Sequence, residues 1–491
     1  MKKIILSVNL LILLMSQLFA QNQDDVLRYS QSFPFSTARS MSMGGAFGAL
    51  GGDFSSLSIN PAGLAVYRSN EFTITPQFSS VQTNANFLNT TTGDNRYTLD
   101  LNNIGLVLSY QLNKQDTGWA NINFSFGYNK LANFDANIMM QGVNNSSSML
   151  DYFVAKANGH TPDQLNYLAE GLAYNTYMLD TSGGLSKYNS VLSQWRPTAS
   201  VYGQTQRKYI SSNGSMGEYN FSVGTNFNHI VFIGASVNLV TVYYNETTIY
   251  TESDDKNVIP QFQQFTYKQE LTTTGQGYNF KFGILVAPVD WLRIGGSVHT
   301  PTFFSLHDDY GSYMNSTFDT PDNNGVSSYR DSTLGQYDYQ ITTPFKANLS
   351  AAFIYKKSAL LSVDYEYINY SKARINAGDN SFYVENTAIQ TNLTTANNFR
   401  LGGEYRYGPF SLRAGFAYYG NPYTSSATYG NYDHLIYSGG LGIKINSVFL
   451  DFAYQHTTYS QIHYLYDVPT AVTADINTTN DRFLFTLGFK F

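Results

Sequence analysis

The most regular feature of the chain is an alternation of apolar and polar side chains, a period of two that fits β-strands and not helices. At the end of the sequence Phe483, Phe485, Leu487, Phe489 and Phe491 fall on one face, and Leu484, Thr486, Gly488 and Lys490 on the other. The same period sets Ile104, Leu106, Leu108 and Tyr110 against Asn103, Gly105, Val107 and Ser109. It recurs where Ile122, Phe124, Phe126 and Tyr128 oppose Asn121, Asn123, Ser125 and Gly127, and where Val448, Leu450, Phe452 and Tyr454 oppose Phe449, Asp451, Ala453 and Gln455. Successive side chains of a strand point to opposite sides. Each segment therefore offers one greasy face and one wetter face.

Followed from Glu71, the alternation predicts strands near 71–90, 97–112, 119–132, 206–226, 229–251, 265–288, 291–314, 337–356, 358–375, 395–407, 409–420, 433–446, 448–466 and 481–491. That is about fourteen, an even number of the kind single-chain bacterial barrels have. Tight turns at 114–118, 226–229, 288–290, 356–358, 407–409 and 446–447 alternate with longer polar connections. Such sorting suits periplasmic turns and extracellular loops; an array of soluble sandwiches does not require it. The predicted fold class is all-β, a transmembrane antiparallel β-barrel over residues 71–491, preceded by segment 21–70, which has no partner strand of its own.

Composition agrees with this reading. Of 491 residues only 13% are charged, while 16% are aromatic, nearly all of them 40 Tyr and 34 Phe. Disordered chains show the reverse. Beyond the first segment no run approaches the roughly 20 apolar residues of a membrane-crossing helix. A barrel needs apolar residues only at alternate positions, so a mean hydropathy of -0.25 is compatible with membrane insertion. Residues 1–20, with Lys2 and Lys3 ahead of the apolar run Ile4 to Met15 and Ala20 at the cut, read as a secretory signal peptide, although Leu18 departs from the small-residue rule. Without Cys there is neither a lipoprotein anchor nor a disulfide framework. A net charge of -6 with no basic cluster argues against nucleic acid as a partner.

Two regions fall outside the strands. Segment 21–70 is rich in Gly, Ala and Ser; segment 133–205 is too long for an ordinary loop and is expected to form an extracellular subdomain. Within it Thr161, Pro162 and Gln164 have the spacing of a capped helix start, followed by Leu165, Leu168, Ala169 and Leu172 at helical intervals. The Gly-rich run of the first segment is no phosphate loop, because G-x-x-x-x-G-K-[ST] is absent.

Residues Ser36 to Arg68, and above all Asn60, Pro61, Ala62, Gly63 and Leu64 just before the first strand, resemble the N-terminal hatch of the FadL/TodX family of outer-membrane transporters for hydrophobic compounds. Some Bacteroidetes-type relatives are described as haemin receptors. In a hatch lying against a barrel wall, Gly44, Gly45, Gly48, Gly51 and Gly52 permit close approach and backbone angles closed to other residues. Pro61 stiffens the turn, and the Asn60 carboxamide can bond backbone on both sides of it.

The resemblance implies that residues 21–70 form an N-terminal hatch in the barrel lumen, and that the chain serves passive uptake of a fatty-acid-like or aromatic molecule, gated by that hatch, in the bacterial outer membrane. Family members take the ligand at a groove between extracellular loops, hold it in a lumenal pocket and release it sideways where the third strand kinks. Met139, Met140, Phe153, Leu165, Leu168 and Leu172, with Met149, Leu150 and Tyr152, are the groove candidates here. Gly127 is the candidate for the lateral opening, although an ordinary lumen-facing glycine is the simpler reading of it. Expected partners are a hydrophobic small molecule or lipid, outer-membrane lipid, and the barrel-assembly machinery through terminal Phe491; the chain is expected to be a monomer. The alternative is a PorV-like partner in protein secretion, which association with secreted cargo would distinguish from uptake of labelled hydrophobes.

No enzyme, metal site or cofactor is expected. Seven His are scattered along the chain. His456 and His463 lie an odd number apart on one strand and should face opposite sides. His307, Asp308 and Asp309 suit an exposed strand end better than a cation, and no spacing selects a haem-ligating pair or a Ser-His-Asp set.

Overall fold

The computed structural model describes residues 23–33, 35–112, 118–195, 203–356, 358–378, 382–425, 427, 430–466 and 472–491. The signal-peptide reading of residues 1–20 lies outside them. Strands β1 (Glu71–Phe87), β2 (Thr90–Gln111) and β3 (Trp119–Asn133) open the barrel, and β4 (Ala136–Asn144) continues the third stave. A small hairpin, β5 (Leu179–Thr181) and β6 (Tyr188–Ser190), stands apart from the wall. Then follow β7 (Gln204–Phe227), β8 (Val231–Ser253), β9 (Phe262–Val289), β10 (Leu292–His299) with β11 (Phe303–Phe318), and β12 (Ser328–Thr342) with β13 (Lys346–Tyr355). The series ends with β14 (Ala359–Asn369), the short β15 (Arg374–Asn376), β16 (Thr395–Tyr407), β17 (Phe410–Tyr419), β18 (His434–Ile445), β19 (Val448–Tyr464) and β20 (Thr473–Lys490).

All pairings are antiparallel, and β20 closes on β1 from Glu71↔Lys490 to Asn86↔Asp475. The result is a closed barrel of 14 staves. Two staves are divided near Pro301 and Pro344, residues that have no N–H for the ladder.

The alternation is obeyed. On β3 Phe124 and Phe126 are 49% and 51% exposed while Asn123 between the faces is fully buried. The outward apolar series of β8 runs from Ile233 to Tyr243, the length a strand tilted at about 45° needs to cross hydrocarbon. Trp119, Trp291, Tyr355 and Tyr407 stand outward near the short turns, as an interfacial girdle does. Replacing outward Val237 with Arg, near the middle of this band, is expected to cost about 2–4 kcal/mol in bilayer unfolding titrations; replacing a wet residue beyond the band, such as Leu334, should cost under about 1 kcal/mol.

Several staves outrun the membrane. β7, β8 and β9 have 24, 23 and 28 residues, against roughly 9–11 for a span. This explains a difference from the sequence expectation at 91–96. The polar stretch there is paired strand, Ala85↔Thr92 to Val81↔Arg96, and the connection shrinks to Leu88 and Asn89, both with positive φ. Beyond the lipid both faces are wet, so a strand loses its apolar alternation without ceasing to be a strand.

The extended strands carry the 145–195 segment, which contains helices Met149–Ala157 and Glu170–Asn175. The helix expected from Thr161 begins with the capping box between Thr161 and Gln164 but stops after one 3-10 turn, Pro162–Gln164. Asn166 ends it: its side chain accepts from the Leu168 N–H, and its carbonyl from those of Ala169 and Gly171. An Asn that satisfies neighbouring backbone in this way competes with helix continuation.

Candidate functional site: the hatch, the cavity above it and the break in the third stave

The chain before β1 folds into the lumen. Asn60 ends a short helical turn, Ser56–Ile59, and caps a 3-10 turn, Pro61–Val66. Its Nδ2 donates to the carbonyls of Gly48 (2.8 Å) and Ile284 (3.2 Å), while its Oδ1 accepts from the Ala62 N–H at 3.1 Å. One carboxamide thus ties two hatch segments to a wall strand. Ala62 and Leu64 are fully buried; the Leu64 carbonyl accepts from Asn123 Nδ2 at 2.7 Å, and Pro61 lies against Gly234. Gly63 backs onto Ser56 and Gly51.

Of the hatch glycines, Gly44, Gly45, Gly51 and Gly52 have φ of 63°, 76°, 63° and 64°, the left-handed region that β-carbon-bearing residues avoid. Gly48 differs. A β-carbon there would sit 2.0 Å from Ser350 Oγ, so close approach and not a positive φ requires it.

Charge fixes the hatch as well. Asp364 Oδ2 accepts from the N–H groups of Phe47 and Gly48, at 3.0 and 2.9 Å. Glu404, buried in the wall, receives Arg39 of the hatch at 2.9 Å together with Arg413 and Arg406 of the wall, each at 2.6 Å. Arg413 reaches on to Asp451 at 2.6 Å.

The wall is not uniform. The β2–β3 ladder runs only from Gln111↔Asn121 to Asn103↔Asn129. Above it β2 pairs with β1 alone, whereas the third stave bulges between Lys130 and Ala132, breaks at Phe134 and Asp135, and resumes on β7 at Ala136↔Ser212. Across the resulting gap Lys130 Nζ meets Asp100 at 3.0 Å, and Arg96 meets Asp135 at 3.4 Å.

A cavity of about 1050 Å³ reaches this break. Phe134, Asp135 and Ala136 line it together with Val81, Ile436, Thr457 and Arg482 of the wall and Leu27, Arg28, Phe33 and Phe35 of the hatch. A second space of about 70 Å³, bounded by Ser58, Lys281, His299 and Arg400, has room for a few waters only.

Two expectations change. Gly127 does not mark the irregularity: it sits inside the ladder opposite Gly105, and its missing β-carbon makes room for Phe54 of the hatch, 2.4 Å from where that carbon would lie. The stave departs from β2 after Asn129. The groove candidates Met140, Phe153, Leu165 and Leu172 are buried with Phe87, Tyr250, Phe262 and Phe265 as the core between the loop segment and the strand ends. Met139 and Leu168 are half-buried, and none of the six lines the larger cavity. An apolar stretch outside the membrane needs a core of its own before it can offer a groove.

His456 and His463 do face opposite ways. His456 bonds Asp481 at 2.8 Å, and His463 lines the cavity. His307 is exposed and bonded to Asp338. Among the described residues no three His, Asp or Glu are grouped to hold a metal.

The residues missed by sequence reasoning are those that receive the hatch: Asp364, Glu404 and wall glycines such as Gly234, Gly283 and Gly415. Their parity placed them on the lumenal face. Which hatch atom each would meet depends on the fold of a segment with no periodicity.

No family model and no curated protein sequence matches the chain. Solved structures do. A FadL homologue from Pseudomonas aeruginosa superposes with a TM-score of 0.56 at 12% identity, covering 94% of this chain and 100% of that one. The toluene transporter TodX of P. putida gives 0.51 at 11% identity, covering 94% and 99%. The class is a closed, hatch-bearing β-barrel. Within that class the fold is of the FadL/TodX type.

Proposed function

We propose that this protein is an outer-membrane channel through which hydrophobic small molecules pass passively, the hatch closing the axial route and the break in the third stave offering a lateral one. The observation that carries this reading is the 1050 Å³ cavity whose wall includes Phe134, Asp135 and Ala136, the residues at which the stave is interrupted. A ligand held there lies next to the one stretch where β2 lacks its second neighbour. The similarly folded TodX is a toluene transporter, which makes aromatic hydrocarbons the first substrates to try. The lining mixes Phe33, Phe35, Tyr432 and Tyr459 with polar groups. Each methylene leaving water contributes about 0.8 kcal/mol, so modest ligands bind such a space without a charged contact.

Filling the cavity tests the reading. Val81→Trp combined with Ile436→Trp should lower uptake of radiolabelled toluene into proteoliposomes at least about tenfold, since loss of a well-fitting apolar site is worth a few kcal/mol. Ion conductance should not change. Uptake equal to wild type would remove the cavity from the route.

A further inference from the structure

Among the buried lumenal arginines, Arg482 of β20 is anomalous. Arg39 and Arg413 share Glu404, and Arg400 reaches Glu366 at 3.4 Å and Asp364 at 3.9 Å. Arg482 is only 7% exposed, yet no carboxylate lies within ion-pair distance of it among the described residues. Its Nη1 donates to Gln455 at 3.2 Å, and its guanidinium lies 4.2 Å from the centre of the Phe35 ring. Its Nε is buried without any partner.

A buried guanidinium that makes one neutral hydrogen bond and one ring contact is poorly compensated, because leaving water is costly unless a counter-charge or several acceptors replace it. Arg482 lines the large cavity. The acidic groups that face the same space are engaged elsewhere: Asp135 with Arg96, Glu246 with the Tyr244 hydroxyl, and Asp24 with Tyr423 at 3.4 Å. Arg28 at the other side is paired with Asp25. Around Arg482 the cavity is aromatic: His434 and Tyr459 stack with centroids 4.3 Å apart, Tyr432 meets both edge-on, and Phe33 packs on His434 at 5.0 Å.

We infer that the cavity is a site for an aromatic carboxylate, with Arg482 binding the carboxylate and the His434–Tyr459–Phe33 cluster contacting the ring. The inference rests on the cavity being the ligand site proposed above. A guanidinium offers a planar fork to a carboxylate, and of its nitrogens Arg482 commits Nη1 to Gln455 while the side chain lines the cavity. The large volume admits a body of two or more rings. A neutral hydrocarbon would fill the space but leave the charge unsatisfied, so the site should discriminate in favour of the anion.

Binding of 2-naphthoate and of the neutral 2-methylnaphthalene to the detergent-solubilised barrel, wild type and Arg482→Gln, tests this directly, with laurate as a third probe. Wild type should bind naphthoate more tightly than methylnaphthalene. Arg482→Gln should weaken naphthoate about 10- to 100-fold, the range of a hydrogen bond to a charged group, and change methylnaphthalene less than about twofold. Arg482→Lys should recover part of the loss, and heat-modifiable electrophoretic mobility reports that each variant remains a folded barrel. Equal losses for both naphthalenes, or none for naphthoate, would overturn the assignment of Arg482. Laurate bound as tightly as naphthoate would overturn the preference for an aromatic body. Binding of methylnaphthalene alone would overturn the anion site and leave the channel reading standing, whereas failure of all three probes to bind wild type would remove both.

Discussion

Deletion of residues 23–66 is expected to turn a barrel that is closed to ions into an open pore, with single-channel conductance in planar bilayers rising from near zero to the level of a wide porin. The hatch earns this effect by where it sits. Ala38, Met41, Phe47, Leu57, Ala62 and Leu64 are all fully buried in a lumen whose wall approaches them through glycine. A milder variant makes the same test with the chain intact. A β-carbon at Gly283 would fall 1.9 Å from Asn60 Oδ1, and one at Gly234 would fall 2.2 Å from the Pro61 carbonyl. Gly234→Val with Gly283→Val should therefore unseat the Asn60 turn and give a leaky, flickering channel. Conductance unchanged by the deletion would show that the segment does not obstruct the lumen.

The second large effect is expected at Glu404. This carboxylate is fully shielded and answers three guanidiniums, those of Arg39, Arg406 and Arg413. Glu404→Leu leaves half-buried Arg39, buried Arg413 and exposed Arg406 with Asp451, paired to Arg413, as the one carboxylate within ion-pair distance among the described residues. Breaking a buried ion pair by removing one partner typically costs about 3–5 kcal/mol. Urea titration of the barrel in bilayers should show a loss of that size, accompanied by hatch leakage. Arg39→Ala alone should cost less, because Glu404 keeps two partners, and the double variant should be much less destabilised than the sum. A loss below about 1 kcal/mol would mean the cluster is hydrated and contributes little to seating the hatch.

The barrel was legible in the sequence because its cause is local. Lipid on one side and lumen on the other impose a period of two, so Phe483 to Phe491 or Ile122 to Tyr128 reveal their faces without any knowledge of neighbours. Legibility ended where the environment changed. Beyond the membrane the polar strand residues 91–96 resembled a loop, and the helix read from Thr161 ended at Asn166, whose side chain offered the backbone a rival bond. Apolar residues of the 133–205 segment were visible, but a core and a groove use the same residue types; contacts of Met140 and Phe153 with Phe87 and Phe265 decide for the core. The Asn60 motif could be picked out, whereas Asp364 and Glu404 could not, since each meets a hatch segment more than 300 residues away, and the break after Asn129 could not, since it depends on how the third stave pairs with β2 and β7. Arg482 carries no signal of its own in the sequence; that its Nε is buried without a partner is visible only in the folded chain.

The lateral route is tested most directly by sewing the gap shut. Asp100 on β2 and Lys130 on β3 meet at 3.0 Å across the opening, and the chain contains no cysteine of its own. With Asp100→Cys and Lys130→Cys joined by a reducible thiol cross-linker, uptake of labelled toluene into proteoliposomes should fall to background and return on reduction, while ion conductance stays constant throughout. Uptake by the fully cross-linked barrel at the rate of its reduced form would contradict the account.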